Sequence, residues 1–301
     1  LAGYRESVRA RILLGLAGVA FAVSVFSLVI ASFTLQNAPR VVSDLGAASI
    51  SIFGIAVAIV IGATSLYREL EQKTIFPILA RPISRGEYVV GKYLGIVLTI
   101  GVFVAADSGL VLCLAAAISG KSPLVILGVV GALSAGLGVA AYRSTWARTY
   151  GLIPWSVLFF GAGVVLADVA PDERRMIVTA AFLCILEIAI VASFATLLSS
   201  FSSPFLSALL TVGLWIIGRS ADSFERFPQK FFTQTGSEIA KVFGKLVPNL
   251  QLYVPPRPLL TGEAADVDRF EYLLLATGTA ITREIAKVFG KLVPNLQLYV
   301  P

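Results

Sequence analysis

The chain has 301 residues, of which 57% are hydrophobic and 14% charged, and its net charge is +6; its mean hydropathy is +0.86. A soluble domain carries about 25% charged residues, so too few polar side chains are present to coat a water-facing surface, and the long apolar runs point to membrane helices rather than a barrel. Histidine is absent, which excludes histidine acid–base catalysis, His-containing triads and the usual zinc sites.

A bilayer core of about 30 Å takes roughly 20 apolar helical residues. Ile12 to Leu35 meets that length, ending at Gln36-Asn37-Ala38-Pro39-Arg40. No signal-peptide cleavage pattern precedes it, so this run is expected to stay in the membrane. Leu45 to Leu66 is a second run, and Tyr93 to Ile118, interrupted by Asp107, a third. Pro123 to Tyr142 and Gly151 to Ala167 form a hairpin with Arg143 and Arg148 between them. Met176 to Leu198, containing Glu187, is a sixth run; Phe205 to Gly218 is a shorter seventh, beyond the serine-rich Ser199–Pro204 break.

Lysine and arginine in the short loops set the orientation. Arg5, Arg9 and Arg11, then Arg68, Lys73, Arg81, Arg85 and Lys92, then Arg143 and Arg148 fall on one side. The alternating loops carry only Arg40, Lys121, and Arg174 and Arg175 offset by Asp168, Asp172 and Glu173. The N-terminus and the Tyr67–Lys92 segment are therefore expected in the cytoplasm, with residues 1–218 as the transmembrane domain and 219–271 as an outer stretch. Within that stretch Ile239, Val242, Phe243, Leu246 and Val247 recur at helical spacing opposite Lys241 and Lys245, an amphipathic helix for the membrane interface or for the ends of the spans. Pro248 stops it.

Glu238–Pro255 recurs without change as Glu284–Pro301. Structural repeats drift in sequence, so identity over 18 residues is the mark of a recent duplication or an assembly error. The second copy interrupts an apolar run beginning at Tyr272. Residues 272–301 are thus expected to be a last span that starts near Phe270 and is overwritten.

The segment with the most information joins the second and third runs. Arg68, Glu69, Glu71 and Lys73 cluster ahead of apolar Ile75, Phe76, Ile78 and Leu79; Pro82 breaks the run, and Ser84 can cap a helix leading into the third span. It reads as a short amphipathic helix on the cytoplasmic side, which either anchors the loop or docks a partner. Glu69-x-Glu71-x-Lys73-Thr74-Ile75, Leu79-x-Arg81-Pro82-x-Ser84-Arg85 and Gly91-Lys92-x-Leu94-Gly95 together resemble the ABC-2 type permeases. The likeness is strongest to the branch linked to multicopper-enzyme maturation, including the nitrous-oxide-reductase accessory permease. Leu197–Thr211 with Ile217-Gly218, and Pro248-Asn249-Leu250, fit the same pattern.

The resemblance implies an all-α polytopic bundle of about six core spans, with Pro123–Ala167 as an inserted hairpin. It also implies a coupling helix seated in a separate ATPase. Arg68, Glu69, Glu71, Lys73, Thr74, Ile75, Phe76, Leu79, Arg81, Pro82, Ser84 and Arg85 would meet that partner. Two ATPase copies, holding ATP and magnesium, would drive a pair of permeases, two copies of this chain or this chain and a sister, by alternating access in the cytoplasmic (inner) membrane, with export favoured. The chain itself would be no enzyme and hold no cofactor.

Gly86-Glu-Tyr-Val-Val-Gly91-Lys92-Tyr93 matches G-x-x-x-x-G-K but puts Tyr where a P-loop needs Ser or Thr, so ATP is not expected here. Cys113 and Cys184 lie in apolar runs without C-x-x-C spacing and, with a single methionine, Met176, argue for packing rather than metal binding. No basic run interleaved with aromatics suggests nucleic acid; lipid is the expected surrounding. Gly128, Gly131, Gly136 and Gly138 crowd the fourth run and read as a packing surface. Asp107 and Glu187 are the only acids inside the long runs and are functional candidates for that reason. Either could line a translocation path or carry a proton, be buried protonated, or pair between helices, and Glu187 could meet an arginine near a helix end. An ion-coupled secondary transporter using both acids, and a non-transporting scaffold, are the rival functions.

Overall fold

The computed structural model describes residues 11–34, 37–71, 85–220 and 250. The described residues are helical, without strands. Among the described residues α-helices follow in this order: α1 Arg11–Ser32, α2 Ala38–Glu71, α3 Arg85–Ile118, α4 Pro123–Arg143, α5 Thr145–Tyr150, α6 Leu152–Leu166, α7 Pro171–Ser199 and α8 Pro204–Arg219. A 3₁₀ turn, Ala167–Val169, follows α6. Among the described residues, six stretches are long and apolar enough to cross a membrane: Gly15–Ser32, Ala38–Thr64, Glu87–Ile118, Pro123–Arg143, Leu152–Val169 and Pro171–Ser199.

Local chemistry sets the helix ends. Asn37, at φ 59°, offers its carbonyl to Arg40 and Val41 at 3.0 and 3.3 Å and opens α2, with Pro39 early enough to cost no helical bond. Gly120, at φ 97°, closes α3: Lys121 N donates to Ala116 O at 3.1 Å and Gly120 N to Ala117 O at 3.4 Å. That pair of bonds is the Schellman arrangement, and a Cβ at Gly120 would be strained. Pro123 and Pro204 each start a helix where a missing N–H does no harm.

Several boundaries differ from the sequence expectation. The helix α2 runs on through Tyr67–Glu71, so these residues extend the second span rather than open a separate interfacial helix. Charged side chains end an apolar run, but Leu-Tyr-Arg-Glu-Leu-Glu has good helix formers and no breaker, and the helix continues. Likewise α3 starts at Arg85, a full two turns before Tyr93. At 34 residues each, α2 and α3 rise about 51 Å against a hydrocarbon core of about 30 Å. Gly91 and Lys92 lie inside α3, where their amides serve the helical ladder rather than a phosphate loop.

The chain divides into two units. The first comprises residues 1–57 and 95–185, the second 58–94 and 186–301; α2, α3 and α7 contribute residues to both. Close backbone approach organises the first. A Cβ on Gly46 would collide with the Val111 side chain, and one on Gly163 would lie 2.9 Å from Gly109 O. A Cβ on Gly109 would lie 3.1 Å from the Phe159 carbonyl. Gly109 and Gly163 thus let α3 and α6 touch backbone to backbone, and Trp155 stacks on Phe159 with ring centroids 5.1 Å apart. Both cysteines are buried with free thiols, and Cys184 Sγ lies 3.8 Å from Ile50 O. In the second unit, Gly62 opens space for Ala195, 2.6 Å from where its Cβ would sit.

The fourth span departs from the expectation. Nothing lies within 4 Å of a Cβ built on Gly128, Gly131, Gly136 or Gly138, and Ile126 is the buried residue of α4. Small residues permit close approach but do not supply a neighbour; α4 has contacts with α5 and α6. The outer amphipathic helix, the duplicated segments and the expected last span fall outside the described residues, apart from Leu250.

Candidate functional site

Of the residues expected to meet a partner ATPase, Arg68, Glu69 and Glu71 lie on the last turns of α2 and Arg85 on the first of α3. Lys73, Thr74, Ile75, Phe76, Leu79, Arg81, Pro82 and Ser84 lie outside the described residues. The chain between the two helices is thus the short stretch Gln72–Ser84. It is carried at the ends of helices that overrun the hydrocarbon thickness.

Glu187 belongs to the second unit. Its position is near the middle of the apolar run Met176–Leu198, and its side chain is 1% exposed. Oε1 accepts from Arg219 NH1 at 2.7 Å and from Trp215 Nε1 at 3.1 Å. Trp215 and Arg219 are four residues apart on α8, the spacing that places two side chains on one face, and the guanidinium carbon sits 5.7 Å from the indole centroid. The hairpin Ser199–Pro204 brings α8 back along α7. With 16 residues, α8 rises about 24 Å, less than a full crossing. Arg219, read from sequence as the first residue of the outer stretch, is instead the last residue of α8, and its guanidinium reaches a carboxylate inside the apolar run. Of the roles open to Glu187, the geometry shows the pairing with an arginine at a helix end. Nearby in the same unit, Tyr93 Oη donates to Ala189 O at 2.9 Å, fixing α3 to α7 two residues past Glu187.

Asp107 belongs to the first unit and is fully buried. Ser24 Oγ on α1 donates to Asp107 Oδ1 at 3.0 Å and lies 3.4 Å from Ser49 Oγ on α2. Ser49 Oγ in turn lies 3.3 Å from Ala20 O. Three helices are strapped by one carboxylate and two hydroxyls. The two intramembrane acids, grouped together from sequence, therefore sit in different units with different partners.

Among the described residues no group of three or more His, Cys, Asp or Glu side chains could hold a metal ion. Trp215, Arg219, Ser24 and Ser49 went unnoticed in the sequence. The signal for the first pair was the i, i+4 spacing at the end of an apolar helix. The serines had none, since hydroxyls inside apolar runs usually bond their own helix, as Ser27 Oγ does to Ser24 O at 2.5 Å.

A family model described as ABC-2 family transporter protein matches residues 5–221. The chain belongs to the ABC-2 transporter family. This makes it a multi-pass membrane permease subunit of an ABC transporter, a class that works with an ABC ATPase and is not itself catalytic. Comparison with curated proteins and with solved structures gives no match. The match extends from before α1 to the residues just after α8 of the permease, so it takes in the long α2 and α3, the stretch between them and the α4–α6 hairpin.

Proposed function

We propose that the permease takes its energy from a separate ABC ATPase through residues 67–92, and that this stretch works as a coupling element. The observation that carries the reading is the pair of helices α2 and α3, each about 51 Å long by its residue count, which bracket Gln72–Ser84. A nucleotide-driven push on that stretch would act on two continuous helices that enter the membrane without a break. Arg68, Glu69, Glu71, Lys73, Thr74, Ile75, Phe76, Leu79, Arg81, Pro82, Ser84 and Arg85 are the contacts, with charged residues for register and the apolar ones for a groove.

The working unit is two permeases and two ATPase subunits, which hold ATP and magnesium. It sits in the cytoplasmic membrane with the N-terminus inside, as the loop lysines and arginines favour. The motif pattern favours the branch linked to multicopper-enzyme maturation, and export as the direction. Alternating access would pass the substrate across, with the substrate's chemistry open.

The test is coupling in proteoliposomes holding permease and its co-expressed ATPase. Glu71→Ala and Arg81→Ala are expected to leave ATP hydrolysis running while permease-dependent stimulation falls at least tenfold. Stimulation unchanged in both variants would overturn the assignment of this stretch.

A further inference from the structure

The polar cluster around Asp107 is more than a strap holding three helices, and its composition is the clue. We propose that Asp107, Ser24 and Ser49 form a binding site for a small, hard monovalent cation of the sodium class.

Three observations carry this. First, the cluster is made of oxygen: Asp107 Oδ1 and Oδ2, Ser24 Oγ, Ser49 Oγ and Ala20 O. Hard cations select carboxylate, hydroxyl and carbonyl oxygens, whereas the softer nitrogen and sulfur donors are absent from it.

Second, one atom of the cluster is left over. Asp107 Oδ2 is buried without a hydrogen-bond partner among the described residues. A simple strap in lipid leaves no spare acceptor, because every unmatched polar group raises the energy of the fold. Asparagine at 107 would strap Ser24 as well and carry no charge.

Third, charge and size agree. The apolar runs Ile12–Leu35, Leu45–Leu66 and Tyr93–Ile118 contain no lysine or arginine, so the single carboxylate has no countercharge within the apolar runs that bear the site. One monovalent ion balances it; a divalent ion would overshoot. The oxygens already stand 3.0–3.4 Å apart. Bonds of about 2.3–2.6 Å to an ion of calcium's or sodium's size give octahedral edges of about 3.3–3.7 Å, so small side-chain shifts admit such an ion, while a larger one would have to spread the helices. The ion would tie α1, α2 and α3 together at mid-bilayer. This inference does not depend on the ATPase-coupling assignment.

The experiment is thermal unfolding of the full chain in nanodiscs, exchanged into choline chloride and titrated with sodium, potassium or further choline at constant ionic strength, alongside ²²Na⁺ binding by scintillation proximity. Sodium is expected to raise the melting temperature saturably, potassium and choline not, and ²²Na⁺ to bind at one site per chain. Asp107→Asn should abolish both signals. Ser49→Ala, which keeps the charge and makes the milder change, should weaken the apparent sodium affinity at least tenfold should the asparagine variant fail to fold. A melting temperature indifferent to the cation, a sodium response that survives Asp107→Asn, or one untouched by Ser49→Ala would each overturn the site.

Discussion

Removing Arg219 should hurt the permease more than removing the residue it binds. Arg219→Ala leaves Glu187, 1% exposed, in the middle of an apolar run with one remaining donor, Trp215 Nε1. Breaking a buried pair by deleting one partner costs about 3–5 kcal/mol in soluble proteins. Interhelical hydrogen bonds within membranes average only about 0.6 kcal/mol, because the unfolded helices also find partners. A net loss of about 3 kcal/mol is the expected balance for Arg219→Ala. Glu187→Ala removes one acceptor from a guanidinium that is 29% exposed on the last residue of α8. Its side chain can turn toward headgroups or water, so about 1–2 kcal/mol is expected. The double variant should lie near the milder single one, a coupling of about 3 kcal/mol. Unfolding in mixed micelles of increasing SDS fraction, run on all four proteins, supplies the cycle. Strictly additive losses, or a larger loss from Glu187→Ala than from Arg219→Ala, would refute the reasoning that a buried carboxylate is the group at stake.

Filling the close helix contacts should separate glycines that pack from glycines that do not. Gly163→Val and Gly62→Val are expected to cost about 1–3 kcal/mol by overpacking, whereas Gly131→Ala, with nothing within 4 Å, should be neutral or stabilising by up to about 1 kcal/mol; the same SDS titration reads all three. Tyr93→Phe removes the bond to Ala189 O and should cost about 0.5–1.5 kcal/mol, with fluorescence of the α8 tryptophan unshifted. Membrane-impermeant maleimide on intact cells should label Lys121→Cys and spare Arg148→Cys. The native Cys113 and Cys184, both buried, should give no background, and the opposite labelling pattern would reverse the orientation.

The spans were legible because transfer into lipid is a local property of composition. Among the described residues the apolar runs are helices, and the ends at Asn37, Pro123 and Pro204 carry turn chemistry that sequence states directly. Errors arose where a helix outlives its apolar run. Tyr67–Glu71 and Arg85–Lys92 carry charges yet are helical, since neither contains a proline and the membrane boundary does not end a helix. Arg219 ends α8 one residue beyond the apolar run, and its pairing with Glu187 cannot be read from the composition of that run. Glu187's pairing was one of several readings the sequence left open, and choosing among them needed the return of α8 along α7. The glycines of α4 and the serines around Asp107 show the remaining gap. A small or hydroxylated residue has two uses in a helix, and which applies depends on whether another helix lies opposite.

The most direct measurement of the central claim is affinity purification of this permease from cells that co-express its neighbouring genes, followed by photolabelling with an azido-ATP analogue. The account predicts a labelled, Walker-motif subunit recovered at one per permease, lost when residues 72–84 are replaced by a glycine-serine linker and retained in Gly131→Ala. A permease recovered alone, whose transport in vesicles collapses with the proton gradient while ATP is intact, would contradict it.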